Sequence, residues 1–400
     1  MPTATRRLVF LLGLAGFMVM ADNWVVSPIL PAISKGVGVT PEAAGLLIAA
    51  YMLPFGIFQL VFGPLADRFG KTRVILVTFT GFAVATALCA LGNTLTGIAG
   101  FRALTGVFAA ATMPISLALI ADAVPMESRQ QAVGSFMGIA FLGQALSMGI
   151  GGAIAFYFDW RGVFVVYAIV STIIAVALWR GLRGLEIPTV QPEPGASALG
   201  RYVSLLGHSP SLRTYLVILA EGFFLLGSFS YLGAVLAERF SLSFLAIGGV
   251  MTAFGIGAII GGRTSAKIAN RLGRAKTIVA GLLTAGIADG LVFSGGGSLV
   301  LTALGVLFLG LGFMTAHSTL ITVATGFAAK ASGTAMSLVT FAFMVGGAIG
   351  TQAGGRIASA TTLTTLYAIY GVGMLGLAVV ALFAISTVGT PKIAVVGQPA

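Results

Sequence analysis

Apolar residues run along this chain in blocks of roughly 20, the length a helix needs to cross the hydrocarbon core of a bilayer. The blocks predict spans at about 8–33, 43–66, 74–92, 96–121, 131–157 and 162–180. A second set falls at 214–237, 244–268, 277–293, 299–325, 333–358 and 363–387. The runs are continuous rather than alternating, which excludes the ten-residue strands of a membrane barrel. Gly295, Gly296 and Gly297 end the ninth block at its outer side. The one long interruption, 183–211, holds Pro188, Pro192, Pro194 and Pro210 together with Glu186 and Glu193. Prolines stop the preceding helix and the carboxylates keep the segment wet. The expected organisation is a six-helix bundle at 1–182, a linker at 183–211 and a second six-helix bundle at 212–400.

Composition narrows the class. The chain is 58% hydrophobic and 8% charged, with a mean hydropathy of +1.04. Soluble domains carry about 25% charged residues, so the protein is expected to sit in the membrane. Its 56 glycines suit close helix–helix approach in lipid. The single cysteine, Cys89, forms no internal disulfide and leaves the redox compartment open. A net charge of +11 marks topology rather than nucleic-acid binding, because the positive residues are concentrated in the loops of one side. Seventeen of the 22 Lys and Arg residues fall on that side, among them Arg6, Arg68, Lys71, Arg129, Arg213, Arg271 and Lys276. The positive-inside rule then places both termini in the cytoplasm. Arg6 and Arg7 ahead of an apolar run imitate a secretory signal, but the run is too long and contains Asp22, so it reads as a retained first helix.

The chain also repeats itself. Ala66-Asp67-Arg68-Phe69-Gly70-Lys71-Thr72-Arg73 returns 203 residues later as Ala269-Asn270-Arg271-Leu272-Gly273-Arg274-Ala275-Lys276. At the same offset Gly143, Ser147, Gly151 and Gly152 fall on Gly346, Gly350, Gly354 and Gly355. A duplicated helical unit in a membrane protein implies a transporter whose halves rock about a central site. Gly63-Pro64-Leu65-Ala66-Asp67-Arg68-Phe69-Gly70-Lys71 resembles the loop signature of the major facilitator superfamily, between its second and third helices. Arg102 and Gly106 resemble the Arg-x-x-x-Gly motif of the fourth helix, and Pro28-Ile29-Leu30-Pro31 the Pro-x-x-Pro end of the first. The Pro-x-x-Pro ending is similar to that of the twelve-helix drug/proton antiporter branch. The antiporter motif of the fifth helix is altered: Ser147-Met148 stands where Gly-Pro is expected, so the kink that Pro supplies is absent. The resemblance implies an all-α fold of two six-helix bundles with a conformational latch at Gly63, Asp67, Arg68, Gly70, Lys71 and Arg73. Gly70 permits the tight turn, Asp67 suits a helix N-terminus, and the basic residues are expected to reach carboxylates or carbonyl ends across the domain interface.

Ionisable groups inside a bilayer cost at least about 2.5–3.5 kcal/mol each and call for a role. Asp22 and Arg102 both fall in the outer half of their spans, on helices that face the cavity in the family. They are assigned to proton coupling, with a static ion pair as the competing reading. Asn23, Trp24, Gln59, Met113, Gln144, Glu221, Phe224 and His317 are expected around the substrate cavity, with Glu221 and His317 close enough in depth to pair or to hold a cationic group. Asp289 is expected at the outer interface and Arg356 to snorkel outward. Met18, Met20, Phe223, Phe229, Tyr231, Phe313 and Met314 add soft and aromatic surface on the same helices.

Together these residues predict a proton-coupled exporter of hydrophobic or amphiphilic small molecules, working by alternating access in the cell membrane as a monomer. Export of a specific metabolite (sugar, nucleoside, amino acid or siderophore) on the same fold is the alternative. No cofactor, metal or nucleic acid is implied: there is no phosphate-binding Gly-x4-Gly-Lys-Ser/Thr loop, and two His and one Cys are too few and too scattered for an enzyme's metal or nucleophile cluster.

Overall fold

The computed structural model describes residues 3–182, 198–295, 297–328 and 332–386, and these are helical with no strand among them. Among the described residues, twelve helices are long and apolar enough to cross a membrane. In the first half they are α1 (Thr5–Val37), α2 (Pro41–Phe69), α3 (Lys71–Leu91), α4 (Leu95–Ala123), α5 (Met126–Tyr157) and α6 (Trp160–Leu182). In the second they are α7 (Ser209–Phe240), α8 (Phe244–Leu272), α9 (Arg274–Ser294), α10 (Leu299–Gly326), α11 (Gly333–Ala360) and α12 (Leu363–Ile385). Most run a turn past the apolar block, because polar and basic residues continue a helix beyond the hydrocarbon as readily as inside it.

The two halves pack alike. In the first, α1 lies against α5 and α6, α3 against α4 and α6, and α2 against α4. In the second, α7 lies against α11 and α12, α9 against α10 and α12, and α8 against α10. The duplicated glycines explain the match. Gly143 of α5 abuts the Phe17 carbonyl of α1, and Gly346 of α11 abuts the Leu219 carbonyl of α7. A Cβ at either position would collide with backbone, so glycine sets the spacing. The duplicated loops match as well: Gly70 has φ +89° and Gly273 φ +83°, a region that L side chains avoid.

Three details depart from the sequence reading. α1 runs past Pro31 and past the expected end near 33, to Val37. Pro31 leaves the Ser27 carbonyl without its helical donor, and Gly233 of α7 packs against that carbonyl. α4 is interrupted between Ala109 and Thr112, because Pro114 has no N–H for the Ala110 carbonyl. Third, part of the 183–211 break is regular structure. Ala198–Gly207 form a short helix, and α7 begins at Ser209 with Pro210 in its first turn, the position where a missing N–H costs nothing. Residues 183–197, with Pro188, Pro192 and Pro194, lie outside the described residues. α5 is unbroken through Ser147, as expected without the Pro, and the Ser147 hydroxyl donates back to the Gln144 carbonyl at 3.0 Å.

Candidate functional site

The halves enclose a cavity of about 410 Å³ at their interface, within the range of small-molecule sites. α1 contributes Met20, Asn23 and Trp24; α2 contributes Phe55 and Gln59; α4 and α5 contribute Met113, Phe141 and Gln144. From the second half come Phe313, Met314 and His317 of α10 and Met336, Phe343 and Met344 of α11. The wall is mostly Met and aromatic carbon, surfaces that fit apolar ligands of varied shape. The polar exceptions are informative. Asn23, Gln59 and Gln144 are all buried, and one amide atom of each has no protein hydrogen-bond partner. Buried polar groups are nearly always bonded, so these amides suit a ligand's donors and acceptors.

One end of the cavity is roofed. Trp24 packs against Phe229 at 4.9 Å and Phe254 at 5.2 Å between ring centroids, and Phe254 stacks on Phe313 at 5.9 Å. These rings come from α1, α7, α8 and α10, so the plug joins both halves. Beyond it α7 is broken at Ser230 and Tyr231. The Ser27 hydroxyl of α1 donates to the Phe229 carbonyl at 2.6 Å, taking up backbone that the break leaves free. Tyr231 donates to the Thr351 carbonyl at 2.8 Å. This roof lies on the side away from the basic loops.

Asp22 and Arg102 meet, but not in the cavity. Arg102 Nη1 donates to Asp22 Oδ2 at 2.6 Å, and Nη2 lies 3.3 Å from the Asp22 carbonyl. The guanidinium lies over the Tyr51 ring at 4.4 Å and near Phe164 at 5.9 Å. Both charged side chains are essentially sealed, at 0% and 1% exposure. They point into the first half, among α2, α3 and α6, while their neighbours Asn23 and Trp24 face the cavity. The α-helical turn between Asp22 and Trp24 explains the split: adjacent residues lie about 100° apart on a helix of 3.6 residues per turn.

Glu221 and His317 pair directly, Nδ1 to Oε2, at 2.8 Å. His317 lines the cavity and packs on Phe343, with centroids 4.5 Å apart; Glu221 stands behind it, buried. Glu221 Oε1 has no protein hydrogen-bond partner. Phe224, expected at the cavity, points the other way and packs edge-on against Tyr370 of α12. It lies three positions after Glu221, but its near neighbour Gly222 is the one pressed against α11, at the Phe343 carbonyl. Asp289, expected at an interface, is fully buried in the second half against Gly371 of α12. Arg356 is exposed, in a groove with residues of α2.

At the basic end, Gly63, Asp67 and Lys71 line a cleft of about 260 Å³ whose opposite wall is Gly333, Thr334 and Ser337, the first turns of α11. Asp67 sits in the last turn of α2, facing the N-terminal end of another helix rather than beginning one. Lys71 makes its ion pair with Asp122 of α4, inside its own half, instead of reaching across. Arg68 is exposed over Phe69, and Arg73 is exposed as well. Phe55, Phe141, Met336, Phe343 and Met344 line the cavity without having been singled out from sequence. The pairing of α2 with α11 brings most of them there, and the signal available was Phe343 three residues before the duplicated Gly346.

A duplicated bundle with a central apolar cavity defines a membrane transporter of the facilitator type, and the comparisons with known proteins agree. The profile of the Major Facilitator Superfamily matches residues 12–351 and 232–397; the chain belongs to this family and is a multi-pass membrane protein. Over 280 residues it is 30% identical to an uncharacterised MFS-type transporter, YceJ, of Bacillus subtilis, covering 68% of each chain. It is 33% identical over 167 residues to the multidrug efflux pump LfrA of Mycolicibacterium smegmatis, covering 41% of this chain and 33% of that one. A solved structure of a point mutant of the nucleoside transporter NupG superposes with a TM-score of 0.77 at 15% identity, over 95% of this chain and 99% of the other. The protein is a transporter and not an enzyme.

Proposed function

We propose that the protein exports hydrophobic or amphiphilic small molecules in exchange for protons, by alternating access, with both termini in the cytoplasm. The observation that carries this reading is the cavity itself: an interface pocket walled by Met and aromatic side chains, with three unsatisfied amides, one acid–base pair and the Ser337 and Thr340 hydroxyls as its polar features. Such a wall binds by shape and area more than by a fixed hydrogen-bond pattern. The similarity to a multidrug efflux pump supports it. The roof of rings and the Ser27 bond correspond to a state closed on the outer side, and the cleft between Asp67 and the start of α11 to a latch that is open.

Asp22 is the proposed proton carrier and Arg102 its partner. In this reading a movement of α4 relative to α1 separates the carboxylate from the guanidinium and opens it to protonation. The cavity reports to it through α1, since Asn23 and Trp24 touch the ligand space and Asp22 follows the same helix. The first half is residues 1–182 and the second begins with α7 at Ser209 rather than at the expected 212, with the intervening segment as their tether. Export of a specific metabolite remains the second reading, favoured by the Glu221–His317 pair, which gives the cavity one strongly directional polar point. A substrate panel in proteoliposomes with an imposed pH gradient tests both. Uptake of several unrelated apolar compounds, driven by the gradient and lost in Asp22→Asn, supports the first. Uptake of one polar compound alone supports the second, and gradient-driven uptake that survives Asp22→Asn refutes the coupling role.

A further inference from the structure

The cavity does not end where the two halves face each other. On the roofed side α5 and α8 touch closely: Gly248 abuts the Met148 carbonyl, Gly152 abuts the Phe244 carbonyl, and Gly255 packs on Ala145. Past Ala145 and Gly255, towards the basic end, the two helices part. The gap holds a second cavity of about 900 Å³, lined by Gly138 and Leu142 of α5 and by Ala258, Ile259, Gly262 and Arg263 of α8. Met137, Phe141, Gln144 and Met314 line this space and the central cavity alike, so the two adjoin across these side chains. Leu142 and Ile259 are 49% and 36% exposed on the outer face of membrane-crossing helices, a face open to lipid.

The equivalent seam on the opposite side of the molecule, between α2 and α11, is built differently. Gly56 of α2 packs on Met344 and the Phe341 carbonyl of α11. At its basic end the Ala198–Gly207 helix lies across it, with the Tyr202 hydroxyl donating to the Leu60 carbonyl at 3.4 Å and its backbone against α11. One seam is bridged, and the other holds a cavity that adjoins the substrate space.

We propose that the gap between α5 and α8 is a lateral portal, through which the apolar chain of an anionic membrane amphiphile enters the central cavity from the leaflet at the basic end. The lining is carbon from Met137, Ile139, Leu142, Ile259 and Ile321, which suits an alkyl chain. The charged residue on the lining is Arg263, with no acidic residue among the described lining residues, and a guanidinium at that level pairs with a phosphate or carboxylate headgroup. The proposal rests on the exporter reading for the claim that this chain is cargo.

The test uses the full protein in phosphatidylcholine vesicles doped with a lysophosphatidylglycerol that carries a diazirine at the end of its chain. After irradiation, labelled residues are mapped by mass spectrometry. Label is expected on Met137, Phe141 and Met314. A Cβ added at Gly138 or Gly262 meets nothing within 4 Å, and both glycines line the gap, so Gly138→Phe combined with Gly262→Phe puts two rings at its wall to narrow it. That variant is expected to lose the cavity label while keeping label on the lipid-facing Val380 of α12, and Gly262→Leu alone serves if the double variant melts early. Arg263→Gln is expected to weaken the label. Label confined to Leu142 and Ile259, or equal cavity label in the narrowed variants, overturns the portal, and undiminished label in Arg263→Gln overturns the choice of headgroup. The readout does not depend on transport. Cavity label without proton exchange refutes the exporter reading alone, and gradient-driven uptake of a dye without cavity label refutes the portal alone.

Discussion

Each half of the protein buries one acid–base pair, and the two pairs are set in opposite ways. Asp22 and Arg102 are sealed inside the first bundle, stacked on Tyr51 and out of contact with the cavity. Glu221 and His317 stand at the cavity wall, with the imidazole side chain 12% exposed. They do not occupy equivalent positions of the duplication: at the 203-residue offset Asp22 falls on Leu225, Arg102 on Gly305 and Pro114 on His317. A sealed pair controls how helices sit against one another, whereas a pair on the wall meets whatever enters. The scaffold was duplicated, and the chemistry was then divided between its copies.

That division is easiest to break at Arg102. Arg102→Ala leaves a carboxylate buried without its partner and is expected to cost about 3–5 kcal/mol of stability, read as a fall in melting temperature of the purified protein. His317→Ala is expected to cost less, about 1–3 kcal/mol, because the cavity lets water reach Glu221. Equal losses would show that the two pairs are not differently set. Asp22→Asn separates them by function: pH-gradient-driven uptake is expected to disappear while equilibrium binding of the same compound persists. Glu221→Gln acts in the reverse sense. A hydrogen bond to a charged group is worth about 1.5–3 kcal/mol, so binding of a cationic compound is expected to weaken roughly tenfold or more, with exchange against protons retained. The smallest effect concerns the scaffold. Gly70→Ala and Gly273→Ala each force a side chain into a backbone region costing about 1–3 kcal/mol, and the two losses are expected to agree, since both loops have the same geometry. A clear difference between them in thermal melts would mean that the first loop, with Asp67, carries load that the second, with Asn270, does not.

Much of the fold was legible in sequence because burial in lipid imposes a coarse rule. Blocks of apolar residues marked the twelve spans, and backbone groups with no water to bond to had to be helical. Most of the candidate cavity residues were legible for the same reason: a polar residue such as Asn23, Gln59 or Gln144 inside such a block requires a non-lipid neighbour. Where the reading failed, the cause was angular. Phe224 and Phe343 are both aromatic residues on cavity helices, yet the first turns to α12 and the second to the ligand space. A span apolar on every side has no periodic stripe to show which face is which. Asp289 was misplaced for the same reason, since depth along a helix was readable and direction around it was not.

By itself, then, the sequence determined the number of helices, the duplication, the glycine positions at which helices approach, and the uneven distribution of charge between the ends. These are properties of single segments and of their spacing. Tertiary structure alone decided which side of each helix faces the cavity. It turned Asp22 and Arg102 inward and set His317 on the wall. It also opened the seam between α5 and α8 while the linker helix crosses the one between α2 and α11. Those outcomes depend on contacts between segments far apart in the chain, and a uniformly apolar helix leaves its rotation to be fixed by the glycines and rings of its neighbours.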